Sequence, residues 1–251
     1  MKELTLAATV ENSGWEFSMR SVNLQKGSFS WKTDINVSLP KNKLIAFPNL
    51  EESTYATRYE LGQPTSIRKV YHLLGVNKET GLYEFDDVNN DGKIDVNDRT
   101  TIVNISPTLF GGINNQFKFN KWSFDMLWQF VVQNANTPEQ SHVMMGLASN
   151  QRSYGGNYFS SGNMDASHQQ PSTGANGAAT QAFNNFKMSD GVIADASFIR
   201  LKSLQLKYDF TELLKSNVSV STYVQAYNLL TFTSFKGSDP ETVNGHLPAL
   251  R

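Results

Sequence analysis

The chain has 251 residues, no cysteine, and 22 basic against 23 acidic side chains, for a net charge of −1. The missing cysteines exclude disulfides, thiol catalysis and zinc–thiolate sites, and the charge balance gives no basic excess that would suggest nucleic acid. No run approaches the roughly 18 apolar residues of a membrane-spanning helix, whereas a hydrophobic fraction of 39% and a mean hydropathy of −0.40 remain compatible with a membrane barrel, whose alternating strands and polar loops average out.

The start, Met1–Glu11, lacks the long apolar segment of a signal peptide. Leu4, Leu6, Ala8 and Val10 alternate with smaller or polar residues and predict a first strand over Lys2–Val10, which Glu11–Gly14 breaks. Trp15, Phe17 and Met19 take odd positions, then the apolar residues switch to Val22 and Leu24; a bulge near Arg20–Ser21 accounts for the switch. A clean strand follows Gln25–Ser28, with Phe29, Trp31, Ile35, Val37 and Leu39 on one face.

Alternation fades from Pro40 to about Leu109, apart from a short strand expected within Ile67–Gly75. A structureless stretch of that length in a compact domain signals function or a special architecture. Then comes the clearest element, a hairpin over Ile113–Gln133. Trp122, Phe124, Met126, Trp128, Phe130 and Val132 hold the even positions, with Ser123, Asp125, Gln129 and Gln133 between them. A two-residue turn at Asn120–Lys121 pairs Phe119 with Trp122 and Phe117 with Phe124, so both strands place their apolar sets on one face. Such a face must be covered, by a second sheet or by lipid.

Asn134–Ala196 is a second long insertion, rich in Asn, Ser, Gly, Gln and Ala, without a continuous apolar stripe; it reads as a surface excursion. Ser197–Phe210 and Val218–Phe232 form another hairpin across a turn at Thr211–Asn217, and 232–247 is a third, shorter loop. Short connections thus alternate with long ones. Because antiparallel strands run up and down, the short turns gather at one end of the sheet and the long loops at the other, as in outer-membrane barrels. A sandwich has no reason to sort its loops, and only the short Glu11–Gly14 break violates the sorting. The fold expected is all-β, an antiparallel transmembrane β-barrel with long extracellular loops. The runner-up is a soluble, calcium-stabilised β-sandwich that binds glycans or mediates adhesion.

The most specific local motif runs from Asp87 to Asp98. Asp87, Asn89, Asp91, Asp95 and Asp98 take loop positions one, three, five, nine and twelve, Gly92 takes position six and the Lys93 carbonyl position seven, the ligand spacing of an EF-hand-type calcium loop. Asp98 replaces the usual Glu. Ca2+ held as a structural staple and an Asx-rich turn that caps itself both fit this stretch. Catalysis finds no support: His72, His142, His168 and His246 lie far apart without metal-ligand spacing, and no nucleophile elbow, Walker loop or dinucleotide fingerprint occurs. Asp239-Pro240-Glu241 reads as a turn or loop anchor.

Eight short patterns in order then accumulate into a resemblance: Asn12–Glu16, Phe29-Ser30-Trp31, Gly62-Gln63-Pro64, Asp87–Asp98, Ser106–Gly112, Asp195–Leu204, Gln225–Thr231 and Lys236–Glu241. Together they resemble the C-terminal barrel half of SusC/RagA-type TonB-dependent outer-membrane transporters, over nearly the whole of 1–251. The resemblance implies a barrel of about 22 strands around an N-terminal plug, set in outer-membrane lipid. It also implies import of an oligosaccharide or peptide, driven through TonB and assisted by a SusD-like surface lipoprotein. The chain would then be a fragment, without the plug and the family's last strand, and not an enzyme. Trp122, Phe124, Trp128 and Phe130 would face lipid, and Tyr154, Tyr158 and Phe159 would meet substrate or the lid lipoprotein.

Overall fold

The computed structural model describes residues 8–138, 142–150, 156–211, 218–237 and 239–242. Its frame is a six-stranded antiparallel sheet. In spatial order the strands are β1 (Thr9–Lys26), β2 (Phe29–Ala46), β7 (Leu109–Phe119), β8 (Trp122–Val132), β11 (Phe198–Asp209) and β12 (Ser221–Thr233). Among the described residues β1 and β12 each pair on one side only, so the sheet is an open arc of barrel wall. Eleven residues at ~3.3 Å each, tilted by ~45°, cover about the 25 Å of a barrel's apolar band.

The hairpin register is the expected one: Phe119 opposes Trp122 and Phe117 opposes Phe124, with Asn120 supplying the turn at φ 52°. From there the apolar face continues across every strand. One row reads Met19, Ile35, Ile113, Trp128, Leu201 and Leu230. Towards the short turns lies an aromatic band, in which Trp31 stacks on Phe117 at 5.6 Å and Trp122 meets Tyr208 edge-on at 4.7 Å. Among the described residues nothing covers this face. Trp15 is 72% exposed and Val224 75% exposed, and an apolar surface this continuous requires a non-aqueous neighbour. The opposite face carries Asp34, Lys32, Gln116, Asp125, Gln129, Gln205 and Lys207.

Two sequence expectations are corrected here. Glu11–Gly14 does not break the first strand, since β1 runs through it with Ser13 opposite Lys41 and Gly14 opposite Pro40. Gly14 tolerates a close approach, because a Cβ there would lie 2.8 Å from the Leu39 carbonyl oxygen. The one exception to the sorting of loop lengths therefore disappears. Of the strand expected over Lys2–Val10, residues 1–7 lie outside the described residues.

The irregularity in β1 falls between Val22 and Leu24. Val22 stays opposite Lys32 on the wet face, and Asn23 is the inserted residue. Asn23 is held by the oily face's few polar groups: its amide donates to Thr33 Oγ1 at 2.6 Å, and its Oδ1 accepts from Ser21 at 2.8 Å. Asn115 accepts from Thr33 and from the Trp31 ring, so a small polar cluster among lipid-facing residues satisfies itself. A second irregularity at Lys202 shifts β11 by one residue, which keeps Leu201 and Ile199 in phase with Leu204 and Leu206.

Candidate functional site

All long connections emerge at one end of the sheet, and two of them fold together. The first, between β2 and β7, contains β3 (Ile67–Val70) paired with β6 (Thr101–Asn104), and β4 (Leu73–Val76) paired with β5 (Tyr83–Phe85). The second, between β8 and β11, contains helix α1 (Gly177–Phe186) and closes through β9 (Asn134–Asn136) on β10 (Ile193–Asp195). The α1 N-terminus is capped by the Asn176 side chain on the Ala179 amide.

The second insertion, expected to be a surface excursion, supplies half of a hydrophobic core. Tyr71, Tyr83 and Phe85 from the first loop pack with Met144, Phe183, Phe186 and Val192 from the second, and the Tyr83 and Phe186 rings stack at 4.2 Å. The apolar positions are too far apart in sequence to form a stripe; they meet only because both loops rise from neighbouring strands. The backbones interlock as well. Tyr71 donates its amide to the Met188 carbonyl at 3.1 Å, and Asp190 donates to Tyr71 at 3.0 Å. The Asp190 carboxylate accepts from the Leu73 amide at 2.9 Å and meets His72 Nδ1 at 2.7 Å, which raises the His72 pKa above its ordinary value.

The acidic loop hangs from β5. Asp87 accepts from the Asp91 and Gly92 amides, Asn89 from Asp91, Asp91 from Lys93 and Asp95 from Asn97. Asp98 is almost fully buried, and its two oxygens accept from Val88 at 3.0 Å and Asp95 at 2.8 Å. Each ionised carboxylate oxygen keeps a second acceptor site, so Asp87, Asn89, Asp91 and the Lys93 carbonyl retain oxygen capacity for a hard cation. Gly92 has φ 80°, which makes room for the turn. Among the described residues no group of three or more His or carboxylate side chains is gathered closely enough to hold a metal. The turn thus closes through its own backbone, with Asp98 as its clasp.

Of the candidate contact aromatics, Tyr154 lies outside the described residues. Tyr158 and Phe159 are half-buried, and the Phe159 ring packs against Gly81, where a Cβ would lie 2.4 Å from it. Phe159 therefore joins one loop to the other. Asp239-Pro240-Glu241 is an anchor, as its sequence suggested, but the partner was not legible. It is tied to the wall by Arg200 through both carboxylates and by Gln133 through the Pro240 carbonyl. The Arg200 signal was a lone cation in an otherwise apolar segment, Phe198–Leu201.

No family model matches the chain. Over 92% of its length it is 25% identical to the TonB-dependent receptor P3 of Formosa agariphila, covering 25% of that protein. It is 22% identical to the TonB-dependent receptor SusC of Bacteroides thetaiotaomicron, over 94% of this chain and 24% of SusC. Among solved structures, the RagAB peptide importer in its open-open state superposes with a TM-score of 0.72 at 20% identity, over 93% of this chain and 26% of the matched one. The chain thus spans about a quarter of the length of the curated relatives it matches. An arc of wall with an uncovered oily face, loops sorted to one end, and relatives of one kind along nearly all of its length make this chain a piece of an outer-membrane β-barrel, similar in sequence to TonB-dependent receptors such as SusC and in fold to the RagAB importer.

Proposed function

We propose that the chain is the C-terminal part of the barrel of a transporter that imports a nutrient, an oligosaccharide or a peptide, across the outer membrane. The observation that carries this reading is the joint folding of the two long loops into one aromatic core above the wall. A passive pore wall needs no such rim, whereas a transporter that receives substrate from a surface lipoprotein needs a rigid outer platform. A SusD-like lipoprotein as lid and TonB as energy source are proposed from the likeness to SusC. The relatives' names describe receptors and importers, and this part of the chain serves binding and passage, not catalysis.

Calcium belongs to the same proposal. Asp87, Asn89, Asp91 and the Lys93 carbonyl would hold it, Asp95 would reach it directly or through water, and Asp98 would brace the loop from beneath. Its work there would be to stiffen the first outer loop.

The test is fractionation of cells expressing the full-length protein, combined with growth on candidate polymers after its deletion. A heat-modifiable band in the outer membrane and loss of growth on one glycan or peptide source are expected. Unchanged growth and unchanged uptake across a broad panel of glycans and peptides would sink the import reading even with the barrel in place.

A further inference from the structure

Between the two interlocked loops lies a pocket of about 440 Å³. It is walled by β3, by the segment after α1, and by residues at the ends of β6, β9 and β10. Five cationic side chains line it, Arg58, Arg68, Lys69, Arg99 and Lys187, and no carboxylate does. In a chain whose total charge is −1 this is a local concentration of positive charge against the average.

Among the described residues only Lys69 has a counter-ion, Glu60 at 3.1 Å. Arg68 uses one nitrogen, Nη1, to reach the Asn136 side chain at 2.8 Å, and half-burial of its guanidinium lowers its pKa. Arg99 lies 4.9 Å above the Tyr71 ring with Nη2 on the Met188 sulfur, and its buried Nε has no hydrogen-bond partner among the described residues. Arg58 is exposed, and Lys187 is half-buried at the edge of the pocket.

Uncompensated guanidiniums drawn partly out of water are costly unless an anion joins them. The planar fork of Arg matches the oxygens of a carboxylate or a sulfate ester, and two such forks with an ammonium at the rim make a site for one oxyanion. We propose that this pocket binds an anionic group of the incoming substrate, with Arg68 and Arg99 as its principal donors and Arg58 and Lys187 as its electrostatic rim. The transported nutrient is then an acidic one, carrying carboxylates or sulfate esters. This rests on the import reading above.

The experiment is calorimetry on the full-length transporter in detergent with three probes: an oligogalacturonide, whose anionic groups are carboxylates; a sulfated galactan oligosaccharide free of carboxylate; and an uncharged galactan oligosaccharide. At least one anionic probe should bind tenfold or more tightly than the uncharged one, and more weakly as salt rises; which one it is separates carboxylate from sulfate. Arg68→Gln with Arg99→Gln should abolish that preference. Because those positions touch the fold, the pair Arg58→Gln with Lys187→Gln, at side chains that form no hydrogen bond among the described residues, is measured beside them, and should weaken binding severalfold and flatten the salt dependence. Equal binding of charged and uncharged probes, no binding of any, or a preference that survives both double variants would overturn the assignment. Heat-modifiable migration and nutrient-dependent growth report on the import reading separately, so the pocket can fail while the transporter stands.

Discussion

Arg200, 1% exposed on the inner face of β11, donates from Nη2 to Asp239 at 2.6 Å and from Nη1 to Glu241 at 2.6 Å, reaching across to the segment that follows β12. Its Nε is taken by Thr231 at 3.0 Å, and Phe198 lies under the guanidinium at 5.1 Å. One buried cation thus ties the chain beyond the last strand of the arc back to the wall. Removing one partner of a buried pair strands the other, at a cost of about 3–5 kcal/mol. Arg200→Ala or Asp239→Ala should therefore release this segment to limited proteolysis in the folded barrel. Glu241→Ala should do less, since that carboxylate is a third exposed and shared with Lys202. Equal protection in all three variants would refute the clamp.

Phe130 covers Gly111. A Cβ at position 111 would lie 2.6 Å from the Phe130 ring and 2.2 Å from the Asn36 carbonyl oxygen, the latter a backbone atom that cannot swing aside. Gly111→Val should force β2 and β7 apart and cost about 1–3 kcal/mol or more, as overpacking does. Urea unfolding in detergent, compared with Gly162→Ala, where a Cβ meets nothing, reads the difference.

Depth should govern charged substitutions on the oily face. Ile113 sits in the central row and Phe119 beside the turn. Ile113→Lys should cost about 2–4 kcal/mol and Phe119→Lys about 0–1 kcal/mol, following the profile of lipid-facing positions. Folding titrations into bilayers give both values; equal costs would contradict the placement of this row at mid-membrane.

The His72–Asp190 contact predicts a pH dependence. Its raised pKa means that the imidazolium is favoured by the fold, so the contact's stabilisation is complete below the ordinary histidine value and fades as pH rises through the folded one. The His72 ring is half exposed and the Asp190 carboxylate a quarter, so solvent screening keeps the effect on loop stability small. An NMR titration should place His72 above the ordinary value in the wild type and return it there in Asp190→Asn.

Calcium and the Asp98 clasp separate by mutation. Asp98→Ala leaves the Val88 and Asp95 amides unpaired and should destabilise the loop by about 1–3 kcal/mol with or without metal. Asp87→Asn with Asp91→Asn should abolish calcium binding in a titration of the metal alone. A wild-type chain that gives no binding signal with calcium would leave this loop a self-capped turn.

What could be read from the chain was whatever repeats at short range. Alternation over Trp122–Val132 and the Asn120–Lys121 turn specify a register that the structure keeps residue for residue, because a one-residue slip would flip every side chain. The β1 irregularity was visible as a change of phase but was placed two residues early. Val22 looks like a member of the apolar set, and only its partner Lys32 reveals the wet face. The loop core was illegible: Tyr71 and Val192 are adjacent solely through tertiary pairing, and no local period joins them. The same holds for Arg68 and Arg99, two unremarkable cations until one pocket holds both.

The core shared by the two loops has a topological consequence. The β7–β8 hairpin lies between them in sequence, so hairpin, loops and aromatic core form a closed circuit, covalent along the chain and non-covalent across the core. Neither loop can complete its fold until both have crossed to the same side of the bilayer. During insertion, then, the outer rim sets only after the central hairpin is in place, and thereafter it latches that hairpin against withdrawal.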